Sequence, residues 1–247
     1  MDPQVISGDC LEKLKDIKDG SVDLILTDLP YGVTSNAWDS IIPLDKLWPE
    51  YHRVLKKNGV VALTASQPFT SLLVMSNSKE YRHEIIWIKN RGSNFANTVR
   101  EPMKEHESVL IFSEGNWTYN KQMQPRTGGG LARTKYDLKW NTKSENYREF
   151  KDRPRSKIPD LRVPSSWQKF NVEVGLHPTQ KPVLLFSYLI KTYSNPGETV
   201  LDSCAGSGTT AIACLETDRQ AILIEKEPKY IDVINQRIAD WKKKHQK

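Results

Sequence analysis

Short runs of consecutive apolar residues alternate along this chain with longer stretches whose apolar positions recur every three or four residues. Val5-Ile6-Ser7, Val22–Thr27, Val60–Thr64, Arg82–Lys89, Glu107–Phe112, Glu198–Asp202 and Ala221–Glu225 read as strands. Between them, the pattern predicts a brief helix over about Leu11 to Ile17. A second helix, over about Leu44 to Lys56, carries Leu44, Leu47, Trp48, Tyr51 and Leu55 on one stripe, and Asn58-Gly59 suits its stop. Helices are also expected over Pro68 to Ser76, Val183 to Tyr193 and Thr209 to Glu216. The Val183–Tyr193 stretch is apolar nearly all round, which predicts deep burial. The last helix starts near Pro228 and should bury Ile231, Ile234, Ile238 and Trp241. Alternating strands and helices predict an α/β fold, a mostly parallel sheet covered on both faces. The 82–89 and 107–112 runs lie close enough in sequence for one of them to run antiparallel at a sheet edge.

This rhythm stops at about Arg91 and resumes at Leu176. From Lys121 to Phe170 there are thirteen Lys or Arg against five Asp or Glu, an excess of eight, whereas the whole chain has a net charge of +6. The stretch also holds Gly128-Gly129-Gly130, four prolines, and the aromatics Tyr136, Trp140, Tyr147, Phe150, Trp167 and Phe170. Composition alone allows a solvated insertion. It equally suits a nucleic-acid surface, with cations on phosphates and aromatic rings under bases. Arg91, Arg126, Arg133, Lys135, Arg153 and Arg155 are the candidate phosphate contacts, joined by Trp38 on a loop after the first long strand.

The remaining composition narrows the classes. At 247 residues, with 38% hydrophobic and 27% charged content, the chain can bury a full core. No apolar run reaches membrane-spanning length, so no membrane association is expected. Met1-Asp2-Pro3-Gln4 has neither a basic flank nor an apolar core, so no secretory signal is expected. Three widely spaced cysteines suit free thiols in a reducing cytoplasm, and five histidines without paired spacing predict no metal site.

Two stretches carry chemistry. Asp28-Leu29-Pro30-Tyr31 follows the Val22–Thr27 strand. Proline pushes the residue before it into an extended backbone, which sets the Leu29 carbonyl beside the Asp28 carboxylate. Two adjacent acceptors suit one exocyclic NH2 group, and Tyr31 could stack on the ring that bears it. The second stretch runs from Asp202 through Ser203-Cys204-Ala205-Gly206-Ser207-Gly208 into a helix, then to a strand ending at Glu225. Glycines let backbone approach a ligand, and an acid about 20 residues on can grip ribose hydroxyls. No P-loop lysine follows Gly208, so a phosphate loop does not fit. A dinucleotide and S-adenosylmethionine both remain open on this motif alone.

Together these motifs resemble the β-group DNA amino-methyltransferases, in which the catalytic motif precedes the cofactor motif. Their Asp-Pro-Pro-Tyr stands here as Asp28-Leu29-Pro30-Tyr31, and their Asp-x-Phe-x-Gly-x-Gly as Asp202 to Gly208. Their His-Pro-Thr-Gln-Lys-Pro is unaltered at His177–Pro182, and Gly8-Asp9-Cys10 matches their early Gly-Asp element. Leu29 replaces a proline and Cys204 an aromatic or apolar residue. The resemblance implies a Rossmann-like methyltransferase fold in circularly permuted motif order, with seven strands and one antiparallel edge strand. It divides the chain into a catalytic half (1–90), an inserted target-recognition region (91–170, with the 107–112 strand still in the sheet) and a cofactor half (171–247). It implies S-adenosylmethionine as cofactor and S-adenosylhomocysteine as product. Asp9 and Cys10 would lie by the adenine, Thr179 and Lys181 near the methionine end, and Glu225 on the ribose. Asp28, Asp202, Cys204, Gly206, Ser207, Gly208 and Thr209 would complete the cofactor site.

The implied reaction is methyl transfer to adenine N6 in double-stranded DNA after base flipping. The resemblance also leaves room for a homodimer and a cognate restriction endonuclease. Cytosine-N4 methylation, an RNA or protein amide substrate, a nicotinamide dehydrogenase and a non-catalytic binding module are the competing readings.

Overall fold

The computed structural model describes residues 2–32, 39–127 and 160–245. Two compact units emerge: Met1–Asn120 with Ser166–Lys247, and the smaller Lys121–Ser165. The smaller unit is narrower than the 91–170 stretch, because residues 91–120 and 166–170 belong to the larger one. Its described part holds a two-residue antiparallel pair, β6 (Gln124–Pro125) with β7 (Leu161–Arg162).

The larger unit begins with β1 (Gln4–Ser7) and α1 (Cys10–Lys13). Asp9 caps this single turn by accepting from the Leu11 amide at 2.9 Å. Then come β2 (Val22–Thr27), α2 (Leu44–Val54), β3 (Leu55–Ala65), α3 (Phe69–Ser76), β4 (Tyr81–Ser93) and β5 (Lys104–Phe112). After the insertion follow β8 (Trp167–Lys169), α4 (Val183–Tyr193), β9 (Thr199–Asp202), α5 (Thr209–Leu215), β10 (Gln220–Glu225) and α6 (Pro228–His245).

Eight of these strands form one sheet in the order β1-β10-β9-β2-β3-β5-β4-β8. All neighbours are parallel except the two pairs that involve β5. Alternate strand residues feed opposite faces. Leu24, Leu26, Val60, Ala62 and Val200 pack with α4, α5 and α6, while Ile25, Val61, Leu63 and Leu201 pack with α1, α2 and α3. The result is the expected three-layer, mostly parallel α/β architecture.

Several expectations need correction. Among the described residues the sheet has eight strands, and the antiparallel strand is internal. Ser108–Phe112 of β5 is buried throughout, so it takes the covered position between β3 and β4, while the half-exposed β4 lies outside it. β8 is the extra strand; three residues are too few to show a period. Asn58-Gly59 does not stop a helix. The chain leaves α2 at Val54, Leu55 is already extended, and β3 runs through both residues with a register shift against β2. Gly59 is small for another reason: a Cβ there would lie 2.5 Å from the Leu55 Cγ. In α6, Tyr230, Ile234 and Ile238 are buried while Ile231 and Trp241 are only half-buried, because the inward face begins one residue earlier.

Leu26 is fully buried at the centre of the larger core cluster. Leu26→Ala should cost about 3 kcal/mol in urea denaturation, the range for a leucine whose neighbours cannot collapse onto the cavity.

Candidate active site

β1, β10, β9 and β2 are adjacent and parallel, so their carboxyl ends share one edge of the sheet. Chain turns leaving that edge carry Gly8-Asp9-Cys10, Glu225, Asp202 to Gly208, and Asp28 to Tyr31. A cavity of about 700 Å³ opens there, and residues from all four turns line it. Open α/β sheets bind ligands at this position.

Asp28 is a heavily engaged carboxylate in the cavity. One oxygen, Oδ1, accepts from the Tyr31 hydroxyl at 2.7 Å and from the Thr64 hydroxyl. Its Oδ2 accepts from Lys181 Nζ at 2.6 Å. The Leu29 side chain is 2% exposed and packs in the core beneath α2 and α3. Tyr31 stacks on Phe69, with centroids 5.4 Å apart, and Lys181 Nζ lies 5.5 Å from its ring centre. Behind Lys181, Glu107 on β5 lies 3.4 Å away and pairs with Lys89 of β4 at 2.5 Å. Burial opposes the Lys181 charge, but Asp28 and Glu107 outweigh it and hold the lysine above its ordinary pKa. Burial and the nearby Asp28 and Glu107 push the Tyr31 phenol well up.

The glycine turn is fixed by carboxylates on either side. Gly206 and Gly208 have φ of 50° and 77°, which only glycine adopts freely. At Gly208 a Cβ would also meet Ile234 Cγ1 at 2.8 Å, so the turn sits directly on α6. Glu225 holds the Gly206 amide at 2.7 Å and the Glu227 amide at 2.9 Å. Asp202 holds the Cys204 amide at 3.1 Å and the Thr210 hydroxyl. Burial raises both acids: Glu225 above its ordinary value, and Asp202 to about 7 against the pull of Thr210 and the Cys204 amide. Ser203 bonds Tyr51 at 2.6 Å and its amide bonds Thr27 Oγ1 at 3.1 Å, which ties this turn to the β2 tip. The neighbouring Cys204 thiol lowers the pKa of Cys10, while the Cys10 thiol and burial raise that of Cys204 well above the usual thiol value.

The His177–Pro182 segment closes one side. Thr209 donates to the Lys181 carbonyl at 3.0 Å, Thr179 bonds His177 Nδ1, and His177 packs on Tyr230 at 4.4 Å. Every residue expected to hold cofactor lines the cavity except Gly208, which starts α5 just behind it. Arg91 is exposed near the end of β4, and Arg126 is half-buried in the smaller unit. Trp38, Arg133, Lys135, Arg153 and Arg155 lie outside the described residues.

Sequence reasoning missed Thr64, Lys89 and Glu107, all of which belong to strands. Lys89 and Glu107 were readable only as polar ends of apolar runs, and nothing in their spacing pairs them. Among the described residues no cluster of metal-ligating side chains occurs, and no helix is long and apolar enough to cross a membrane.

A family model described as DNA methylase, the N6/N4 methyltransferase group, matches residues 22–236. The chain belongs to this family of S-adenosylmethionine-dependent DNA methyltransferases. Among its relatives is the DNA adenine methyltransferase YhdJ of Escherichia coli K12, 31% identical over 92% of this chain and 79% of the relative. Another is the type II methyltransferase M.HpaI of Haemophilus parainfluenzae, 26% identical over 96% of this chain and 74% of the relative. The fold is similar to that of M1.HpyAVI in complex with SAM, with TM-score 0.63 and 24% identity over 95% of this chain and 98% of the other. It is also similar to the PvuII cytosine-N4-specific enzyme, with TM-score 0.68 and 13% identity over 97% of this chain and 91% of the other.

Asp202 gives a pH prediction for the ligand-free protein. Its folded pKa of about 7 exceeds the ordinary 3.8, so its contribution to stability is fully present below that lower value and is lost as pH rises through about 7. Asp202→Asn removes this titration. Between pH 4 and pH 7 the variant should therefore gain stability relative to the parent in denaturant titrations at each pH.

Proposed function

We propose that this chain methylates the N6 amino group of adenine in duplex DNA, with Asp28 and the Leu29 carbonyl as acceptors for that amine. The observation that carries the reading is the shared cavity: the Asp28 turn and the Gly206 turn leave adjacent parallel strands and line the same space. The 31%-identical adenine methyltransferase, and aspartate at the first position of the catalytic tetrapeptide, favour adenine over cytosine.

The residues present fit S-adenosylmethionine. The cavity is of ligand size and carries acidic groups, Asp9, Asp28, Asp202 and Glu225, that suit a cationic, hydroxyl-bearing nucleoside. Glu225 and Asp9 would hold its ribose and adenine end, and Thr179 its carboxylate end, with the Lys181 ammonium turned to Asp28 and Glu107. Bound there, it supplies an electrophilic methyl group on a sulfonium.

The chain's own part is positioning and charge. An amine lone pair delocalised into a purine ring is a poor nucleophile. Acceptance of both N–H bonds by Asp28 and the Leu29 carbonyl draws the nitrogen toward tetrahedral geometry and stabilises the positive charge that grows on it. The Asp28 side chain is 22% exposed, recessed within the cavity. An amine still stacked in a duplex cannot reach it, so the base must flip out.

The tip between β4 and β5 supports DNA entry on this side. Ser93, Asn94 and Lys104 line the cavity, Arg91, Arg100 and Lys104 are exposed around it, and Phe95 is 63% exposed beside them. Phosphate contacts by these cations would position the duplex without reading its sequence. The 91–170 region, with its basic excess over 121–170 and Arg126 within it, is the proposed target-recognition region.

Asp28→Asn should lower methyl transfer to duplex DNA by about a hundredfold or more. Its affinity for S-adenosylmethionine should stay within a few-fold of the parent. Transfer is read as tritium from labelled cofactor, recovered as N6-methyladenine after digestion. Label in N4-methylcytosine, or in RNA alone, would reject the adenine reading, and an undiminished rate would reject the role of Asp28. Glu225→Ala should weaken cofactor binding by about tenfold or more in calorimetry, from lost ribose and turn hydrogen bonds.

A further inference from the structure

The acceptor that the substrate amine needs is already in use. Asp28 Oδ1 takes two hydroxyls and Oδ2 takes Lys181 Nζ at 2.6 Å. A carboxylate offers about four lone-pair sites and three are taken here, so an arriving amine would have to share Oδ2 with the ammonium. A cation on Oδ2 also opposes the positive charge that methylation builds on the nitrogen.

Glu107 supplies the counterpart. Its Oε1 is held by Lys89 at 2.5 Å. Its Oε2 is buried, makes no hydrogen bond among the described residues, and lies 3.4 Å from Lys181 Nζ. A buried carboxylate oxygen left without a hydrogen bond is costly and calls for an explanation. A shift of Nζ by about half an ångström would bring that gap to the length of a charge-assisted hydrogen bond. After the shift Glu107 holds both Lys89 and Lys181, while Asp28 keeps its two hydroxyls and takes the amine on which positive charge grows.

We infer that Lys181 is a two-position cation, seated on Asp28 in the empty site and on Glu107 when the substrate amine takes Asp28 Oδ2. Glu107 is thus a positioning residue for the reaction, acting through Lys181. This rests on the reading of Asp28 as the amine's acceptor.

The test uses the full-length protein and a duplex carrying its target site, located by sequencing methylated DNA from expressing cells. Binding is measured with S-adenosylhomocysteine present, to target adenine and to purine, which lacks the amino group, each opposite an abasic site so that neither must break a base pair to flip. The parent should prefer adenine by about tenfold, the worth of the amine's hydrogen bonds. In Glu107→Gln the amide cannot receive the ammonium in the same way. The preference should fall to about twofold or less and kcat at least tenfold, with cofactor affinity within twofold of the parent.

Adding Lys181→Met to Glu107→Gln removes the competing cation, so the adenine preference should return. Lys181→Met alone should keep it, which tests the inference even if Glu107→Gln does not fold. A purely structural role for Glu107 predicts that both DNAs lose affinity equally and that the double variant is no better. That result, a Glu107→Gln preference equal to the parent's, or loss of preference in Lys181→Met, would overturn the inference. A parent enzyme that methylates no adenine would instead sink the underlying reading.

Discussion

The parallel pairing of β2 with β9 is the constraint on which the site depends. Leu24 and Ile25 lie opposite Val200 and Leu201, so Asp28 and the Asp202–Gly208 turn leave the sheet side by side. In sequence these stretches are 174 residues apart, from Asp28 to Asp202. Neither has a use without the other: one can hold an amine, and the other a nucleoside cofactor. The buried contacts from Ser203 to Tyr51 and Thr27 fix their relation below the cavity floor.

Charge is the second organising feature. Asp28, Asp202 and Glu225 face one cavity, and each is stabilised differently: Asp28 by Lys181 and two hydroxyls, Glu225 by backbone amides, Asp202 by an amide and Thr210. Burial still lifts Asp202 to about 7 and raises Glu225. Such a site favours a cationic ligand and rejects a second anion near the glycine turn, which agrees with the lack of a P-loop lysine. Lys181 carries the compensating charge on Asp28 while its carbonyl accepts from Thr209, so it links the two motifs above the hydrogen-bonded pairing of β2 and β9.

Much of this was legible in the sequence because it is written locally. Buried parallel strands appear as apolar runs, α4 and α5 begin within a residue of where their patterns start, and the catalytic and cofactor motifs are contiguous. What escaped was non-local. The place of β5 between β3 and β4 depends on competition among strands for burial, and β8 is too short to carry a period. Asn58-Gly59 looked like a helix stop because Asn-Gly commonly ends helices, whereas here Gly59 leaves room for the Leu55 side chain of its own strand. Thr64, Lys89 and Glu107 gained their roles only when β3, β4 and β5 were brought beside the β2 tip. Asp9 carries two readings at once, since it caps α1 with one oxygen and lines the cavity as well.

The central claim is that one cavity holds the methyl donor against the amine acceptor. A crystal structure of the chain with S-adenosylhomocysteine tests it most directly. The account predicts the ribose against Glu225 and the thioether sulfur facing the Asp28 carboxylate across the cavity. A ligand bound elsewhere, or with its sulfur turned away from Asp28, would contradict it.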